Sequence, residues 1–208
     1  EFQKPCRVLY NVVESENILA ISKEIASELV NDGKIRLIAV GTLKKSKGYM
    51  RLLQIIKRLE YEHYPIHLYV LGSGYLQQEM ESYICKNNLH NAVTLLGYQT
   101  NPYKYVSQCD LFVCSSFAEG FSTAATEALI VGTPVCTVEV SGMKEMLGDY
   151  NEYGVVTENN EEALYYGIKY LLDNPEMLKH YKMRALERGK RFSKEETVRD
   201  IELMLEAI

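Results

Sequence analysis

Short apolar runs alternate with longer helix-patterned segments along most of this chain, and glycines sit at many of the junctions. The strand candidates are IRLIAVG (35–41), IHLYVLG (66–72), AVTLLG (92–97), LFVCS (111–115) and TPVCTVEV (133–140), with a weaker one in YGVVT (153–157). Most are rich in Val, Ile and Leu on both faces, the mark of strands covered on both sides in a parallel sheet. Between them, GYMRLLQIIKRLEYE (48–62) sets Met50, Leu53, Ile56 and Leu59 on one stripe with charges opposite. YLQQEMESYICKNN (75–88) and STAATEALIVG (122–132) read similarly. Strand, glycine turn and helix in repetition predict an α/β, doubly wound, Rossmann-like parallel sheet.

The two ends differ from this middle. Residues 1–34 hold VLYN (8–11) and then a helix-like stretch, ENILAISKEIASELVNDG (16–33). After residue 158 the chain reads as a C-terminal helical tail: EEALYYGIKYLLDN, PEMLKHYKMRALERGKRF, then SKEETVRDIELMLEAI. Pro175 is placed to open a helix, and Ser193 with Glu196 three residues on reads as a capping box.

Composition excludes several classes. The length of 208 residues fits one domain or a little more. No apolar run approaches the roughly 20 residues that span a bilayer, and EFQKPCRVLYNVVE lacks a signal-peptide pattern. A net charge of −5 argues against a general nucleic-acid partner. Five cysteines without CxxC spacing fit a reducing cytoplasm, with Cys114 and Cys136 as buried free thiols.

In open α/β sheets ligands bind beyond the C-terminal strand ends, so the residues there are the site candidates. After the first strand, GTLKKSKG (41–48) offers Gly41 for a tight turn and Lys44, Lys45 and Lys47 near a helix start, where anions are favoured. A solvated lysine loop explains it as well, and the GK[ST] ending of a Walker loop is absent. After the second strand, Gly72 and Gly74 of GSG let a ligand approach the backbone, or simply make a turn. The dinucleotide fingerprint is broken by Gln77. After the third, Tyr98 is placed to edge a nucleobase or to pack at a rim, and Asn101-Pro102 starts a helix. After the fourth, SSFAEGFSTAATEALIVGTPV (115–135) holds Glu119, Gly120 and a capping Ser122 or Thr123, leaving N–H groups for a phosphate. Glu127, in the following helix, can accept two hydroxyls of a ribose diol, or be a plain surface glutamate.

Taken together these segments resemble the C-terminal, nucleotide-sugar-binding domain of retaining GT-B glycosyltransferases, of the group 1 family, also called family four. The resemblance rests on Glu119 and Glu127 in EGFSTAATE, VGTPV (131–135), GTLKKSKG (41–48), GSG (72–74), and Gly142 with Glu145. It runs over residues 35–157 with the motifs in order. It implies that Glu119 holds donor-sugar hydroxyls near the reacting face. Glu127 would take the ribose, and N–H groups of Gly120, Phe121 and Ser122 the sugar and diphosphate. Lys47 would neutralise the diphosphate as it leaves, without a metal, and Tyr98 would touch the base. Thr42 stands where the family carries Arg, so a forked diphosphate donor is missing, and Lys44 or Lys45 is left to compensate.

The resemblance also divides the chain. It implies an interdomain lead-in of strand and helix (1–34), a Rossmann-like donor domain (35–158), and C-terminal helices (159–208) that pack on it and toward an absent N-terminal acceptor domain. The whole would be one half of a GT-B fold, with CRVLYNVVE resembling the junction. The substrate would be a UDP- or GDP-sugar, with no further cofactor required. The reaction would be retaining glycosyl transfer in polysaccharide, lipopolysaccharide or glycolipid synthesis, in the cytoplasm, with the whole enzyme in peripheral contact with a membrane. This fragment alone is expected to be inactive. A non-catalytic nucleotide-binding module is the alternative, with Thr42 in its favour. A nicotinamide-dependent dehydrogenase domain has the broken fingerprint against it.

Overall fold

The structure, a computed structural model, describes residues 12–206. The expected strand at 8–11 lies outside the described residues. The elements are α1 (Ser15–Ile21), β1 (Ile35–Val40), α2 (Tyr49–Tyr61), β2 (Ile66–Leu71), α3 (Gln77–Lys86), β3 (Val93–Gly97), α4 (Tyr103–Ser107) and β4 (Leu111–Cys114). They continue with α5 (Thr123–Ile130), β5 (Val135–Val138), α6 (Met143–Leu147), β6 (Val155–Thr157), α7 (Glu161–Asp173), α8 (Pro175–Gly189) and α9 (Lys194–Glu206). Two 3-10 turns, Lys45–Lys47 and Lys190–Phe192, precede α2 and α9.

The six strands form one parallel sheet in the order β3-β2-β1-β4-β5-β6. The six strands expected between residues 35 and 157 are all present, most of them trimmed at their ends. Because successive side chains point to opposite faces, each apolar run feeds two cores. Leu37, Ala39, Leu68, Val70, Val113 and Cys136 join a cluster with Leu52, Leu53, Ile56 and Leu59 of α2, Met80 and Ile84 of α3, and Leu164 and Ile168 of α7. Ile38, Tyr69, Leu71, Phe112, Cys114 and Val135 join the other, with α1, α4, α5, α6 and Ala185 of α8. This is the doubly wound arrangement, and the buried Cys114 and Cys136 are free thiols as expected.

The helix-like stretch 16–33 is corrected: helix ends at Ile21, although Ala26 and Leu29 beyond it are still buried. The reason is tertiary. Asn101 Nδ2 donates to the Ile21 carbonyl at 2.8 Å and Ser107 Oγ to that of Ser22 at 2.8 Å. Gln108 Nε2 donates to the Glu24 carbonyl at 2.8 Å. Side chains of the α4 region thus satisfy carbonyls that a longer helix would have used itself.

In the tail, Pro175 opens α8 as its first residue. Half of the capping box forms: Ser193 Oγ accepts from the Glu196 N–H at 3.2 Å. The Glu196 carboxylate turns instead to Arg191 at 3.0 Å and Arg199 at 3.4 Å. Helix α9 buries only Thr197 and leaves Leu203 and Leu205 exposed.

Helices α2 and α7 are joined by an ionic cluster at the C-terminal end of α2. Glu62 accepts from Lys169 Nζ at 2.6 Å and from the Tyr165 hydroxyl at 2.6 and 2.7 Å. These hydrogen bonds, led by that of Lys169, hold the Glu62 carboxyl at a pKa of about 2. A carboxyl lowered by folding contributes stability above its unfolded value and loses it as pH falls through the folded one. Glu62→Gln is therefore expected to lower the urea midpoint at pH 7. The gap from the wild type should close as pH falls from 4.5 toward 2, as parallel urea titrations would show.

Candidate functional site

The strand order reverses between β1 and β4. The chain runs outward from β1 to β2 and β3, then returns to place β4 on the other side of β1. The loops after β1 and β4 therefore part above the sheet and leave a crevice, the place where such sheets take ligands. A narrow slot there, of about 10 Å³, is lined by Val40, Lys47, Tyr49, Ser115, Ser116, Glu119 and Ser122, among others. Beside it a cavity of about 380 Å³ is lined by Gly41, Thr42, Gly72, Tyr98, Gln99, Tyr103 and Glu127, with Val40 shared by both.

Lys47 and Glu119 meet in the slot. Nζ of Lys47 donates to Oε1 of Glu119 at 2.6 Å across 72 residues of sequence. The same oxygen accepts from Ser116 Oγ at 2.6 Å. Both side chains of the ion pair are largely shielded, 23 and 11% exposed, so water screens them little. Lys47 reaches this place because the 3-10 turn Lys45–Lys47 folds the loop back before α2. That turn ends on Gly48, at φ +68°, and a Cβ there would overlap the Ser115 carbonyl oxygen. Gly48 is thus required twice, by backbone conformation and by contact. Tyr49, next along, is buried and donates its hydroxyl to the Gly41 carbonyl at 3.0 Å.

Glu127 resolves the choice between a surface residue and a lining one. It is half-buried, lines the cavity, and its Oε1 accepts from the Tyr103 hydroxyl at 3.1 Å. Burial pushes its pKa up from the ordinary glutamate range, and the Tyr103 hydrogen bond opposes that shift. Tyr98 lines the same cavity and is 74% exposed, so it is not packed at the rim. Gly41 and Thr42 line it too, and Thr42 is exposed.

The other expected residues fall as follows. Ser122, not Thr123, caps α5, with Oγ accepting from the Ala125 N–H at 3.3 Å. Ser122 also lines the slot, so the N-terminus of α5 opens on it. Thr123 is exposed and lines neither space, and Gly120 faces open space where a side chain would stand. The Phe121 ring turns to Phe192, at 6.2 Å between centroids, and against Gly142. Gly72 borders the cavity, but its missing side chain, like that of Gly74, makes room for the loop after β1: a Cβ at either would overlap the carbonyl of Gly41 or Leu43. Lys44 and Lys45 are exposed and line neither slot nor cavity, so the structure does not gather them with Lys47. Among the described residues no group of three or more His, Cys, Asp and Glu gathers as metal ligands.

Four residues escaped the sequence reading: Ser116, Tyr103, Arg51 and Asn159. Arg51 carries a signal in hindsight. It stands four and eight residues before Ile55 and Leu59, both buried, so a charge interrupts an apolar line of α2.

A parallel α/β sheet whose reversal point carries a lysine–glutamate pair beside a half-buried carboxylate defines a domain of the Rossmann type. The model of the family "Glycosyl transferases group 1" matches residues 20–188. The chain belongs to this family of glycosyltransferases. It is 35% identical over 199 residues to a Campylobacter jejuni enzyme, covering 95% of this chain and 52% of the relative. That relative is named N-acetylgalactosamine-N,N'-diacetylbacillosaminyl-diphospho-undecaprenol 4-alpha-N-acetylgalactosaminyltransferase. Among solved structures, Anabaena HepE in complex with UDP superposes with a TM-score of 0.83 at 19% identity, over 97% of this chain and 57% of HepE. Sucrose-phosphate synthase from Thermosynechococcus elongatus does so with a TM-score of 0.74 at 21% identity, over 96% of this chain and 49% of the synthase. These likenesses bear out the Rossmann-like fold. The chain spans about half the length of the curated relatives it matches.

Two outcomes test this geometry. Gly48→Ala is expected to destabilise the chain by about 1–3 kcal/mol through left-handed strain alone, with the clash on Ser115 added, read as a lowered midpoint in urea. Tyr103→Phe removes the hydrogen bond that holds the Glu127 pKa down. Its titration, followed by carboxyl carbon NMR, should move further upward than in the wild type.

Proposed function

We propose that this chain is the nucleotide-sugar-binding part of a retaining glycosyltransferase, and that slot and cavity together receive the donor. The single observation behind the reading is that Lys47 and Glu119 meet at 2.6 Å beside a cavity holding the half-buried Glu127. The ribose diol would bond to Glu127 and the base would lie along Tyr98. The cavity is adjacent to the slot, so the diphosphate would pass from one to the other by Gly41 and Thr42 to the N-terminus of α5. There Lys47 would leave Glu119 for the diphosphate, freeing that carboxylate for the sugar hydroxyls. As the bond from the anomeric carbon to the diphosphate oxygen breaks, negative charge grows on that oxygen. The ammonium and the helix N-terminus stabilise it in place.

Retention requires the acceptor hydroxyl on the face that the diphosphate leaves. Holding two reactants so is worth about 7–11 kcal/mol in favourable cases. A second, acceptor-binding domain would supply that positioning, and this chain alone would bind donor without transferring sugar. The name of the Campylobacter relative supports assembly of a glycan on a lipid-diphosphate carrier as the setting. A UDP-sugar is favoured as donor over a GDP-sugar, because the HepE complex holds UDP.

The roles separate by calorimetry with UDP, GDP and their sugar conjugates. Glu127→Ala should weaken nucleoside diphosphate and conjugate alike, by about 1.5–3 kcal/mol for a lost charged hydrogen bond. Glu119→Ala should weaken only the conjugate. Lys47→Ala should weaken UDP far more than uridine, and the wild-type affinity should fall with salt. Equal effects of the two glutamate substitutions on UDP would contradict the division. The alternative, a nucleotide-holding module without transfer, is favoured by Thr42 and its lack of a forked donor. It predicts no gain in affinity from the sugar and no transfer when the acceptor-binding part is restored.

A further inference from the structure

We propose that Arg51 is a positioning residue for the slot: it clamps the chain leaving β4 so that Glu119 and Lys47 are held facing each other. This rests on the donor-binding reading above and extends it to a residue that would touch no donor atom.

Arg51 lies in the first turn of α2 and is only 5% exposed. A buried guanidinium is tolerated only when its donors are taken up. Here they go mainly to one short segment. Nε donates to the Ser115 carbonyl at 3.1 Å, and Nη2 to the same oxygen and to the Ser116 carbonyl at 3.0 Å. Nη1 donates to Asn159 Oδ1 at 2.9 Å. The guanidinium also lies 4.2 Å from the centre of the Phe117 ring.

Other bonds close the same segment. The Phe117 N–H donates to the Ser46 carbonyl at 2.7 Å, and Asn159 Nδ2 to the Phe117 carbonyl at 3.1 Å. Ser115 Oγ donates to the carbonyl of Lys47 at 3.0 Å. Residues 115–117 are therefore tied to the Lys47 turn, with Arg51 taking the two carbonyls just past the end of β4. Ser116, held in this way, turns its hydroxyl onto Glu119 at 2.6 Å. The path is short: Arg51 fixes Ser115 and Ser116, Ser116 fixes the carboxylate, and Ser115 fixes the backbone that carries the lysine. A planar fork suits this set of acceptors. A lysine ammonium, a point charge on a flexible stem, could not span them.

The test compares wild type with Arg51→Lys and Arg51→Met in two ligand series, uridine with UDP-glucose and guanosine with GDP-mannose, by calorimetry or ligand-observed NMR. Hydrogen exchange is followed at the amides of 115–119. The nucleoside should bind the variants as it binds the wild type, because Glu127 and Tyr98 stand outside the clamp. Affinity for the nucleotide sugar should fall about tenfold, the scale of a lost charge-assisted hydrogen bond. Exchange should quicken at 115–119 and stay unchanged in α3. Equal loss for nucleoside and nucleotide sugar, as a general loosening would give, overturns the positioning role. So does a nucleotide-sugar affinity that neither variant lowers. A wild type that binds neither nucleotide sugar more tightly than its nucleoside overturns the donor reading itself, and the role of Arg51 with it.

Discussion

The site depends on β1 having parallel neighbours on both sides. Its register runs beside β2 from Ile35 to Val40, and beside β4 at Leu37 and Ile38. A parallel strand cannot be reached by a tight hairpin, so each neighbour is joined through a crossover that leaves and returns over a sheet face. The crossovers that leave β1 for β2 and β4 for β5 diverge above the C-terminal ends of these two strands, α2 covering one face of the sheet and α5 the other. The two loops that flank the gap, 41–48 and 115–122, then face one another, and carbonyls in them that lie beyond the strand ladders need partners from elsewhere. What fills that demand sets the chemistry: Tyr49 takes a carbonyl of one loop, and Arg51 takes two of the other.

Charge is arranged unevenly around this gap. The lysine and the first glutamate satisfy each other in a shielded place. The second glutamate accepts from the Tyr103 hydroxyl, and burial disfavours its charge. A ligand offering hydroxyl donors would relieve Glu127, and one offering negative charge would compete for Lys47. A molecule with a diol at one end and a diphosphate further along fits both demands.

Much of this could be read along the chain. The strands announce themselves because burial on two faces demands continuous apolar runs, and the long helices because burial on one face demands a stripe. Glu119, Glu127 and Lys47 stand out once strand ends are known to be ligand ends. Other features were hidden for physical reasons. Helix α6 has five residues, too few for a period to register. The stop at Ile21 is imposed by Asn101, Ser107 and Gln108, some 80 residues away, whose side chains compete for its carbonyls. The glycines of GSG looked like room for a ligand, yet Gly74 makes room for the carbonyl of Leu43.

The sequence by itself determined the fold class, the order of strands and helices, and the loops on which the candidate residues lie. These follow from local periodicity, which each segment carries in its own composition. Only the tertiary structure decided which of those residues meet. Lys47 rather than Lys44 or Lys45 reaches Glu119, because a 3-10 turn and Gly48 aim one lysine of three inward. Glu127 is a lining residue because α5 docks with that face toward Tyr103 and the cavity. Arg51 has its role because the end of β4 arrives beside it, 64 residues later in the chain. Contacts of that kind are set by where crossovers land on the sheet, and no single segment encodes the landing place.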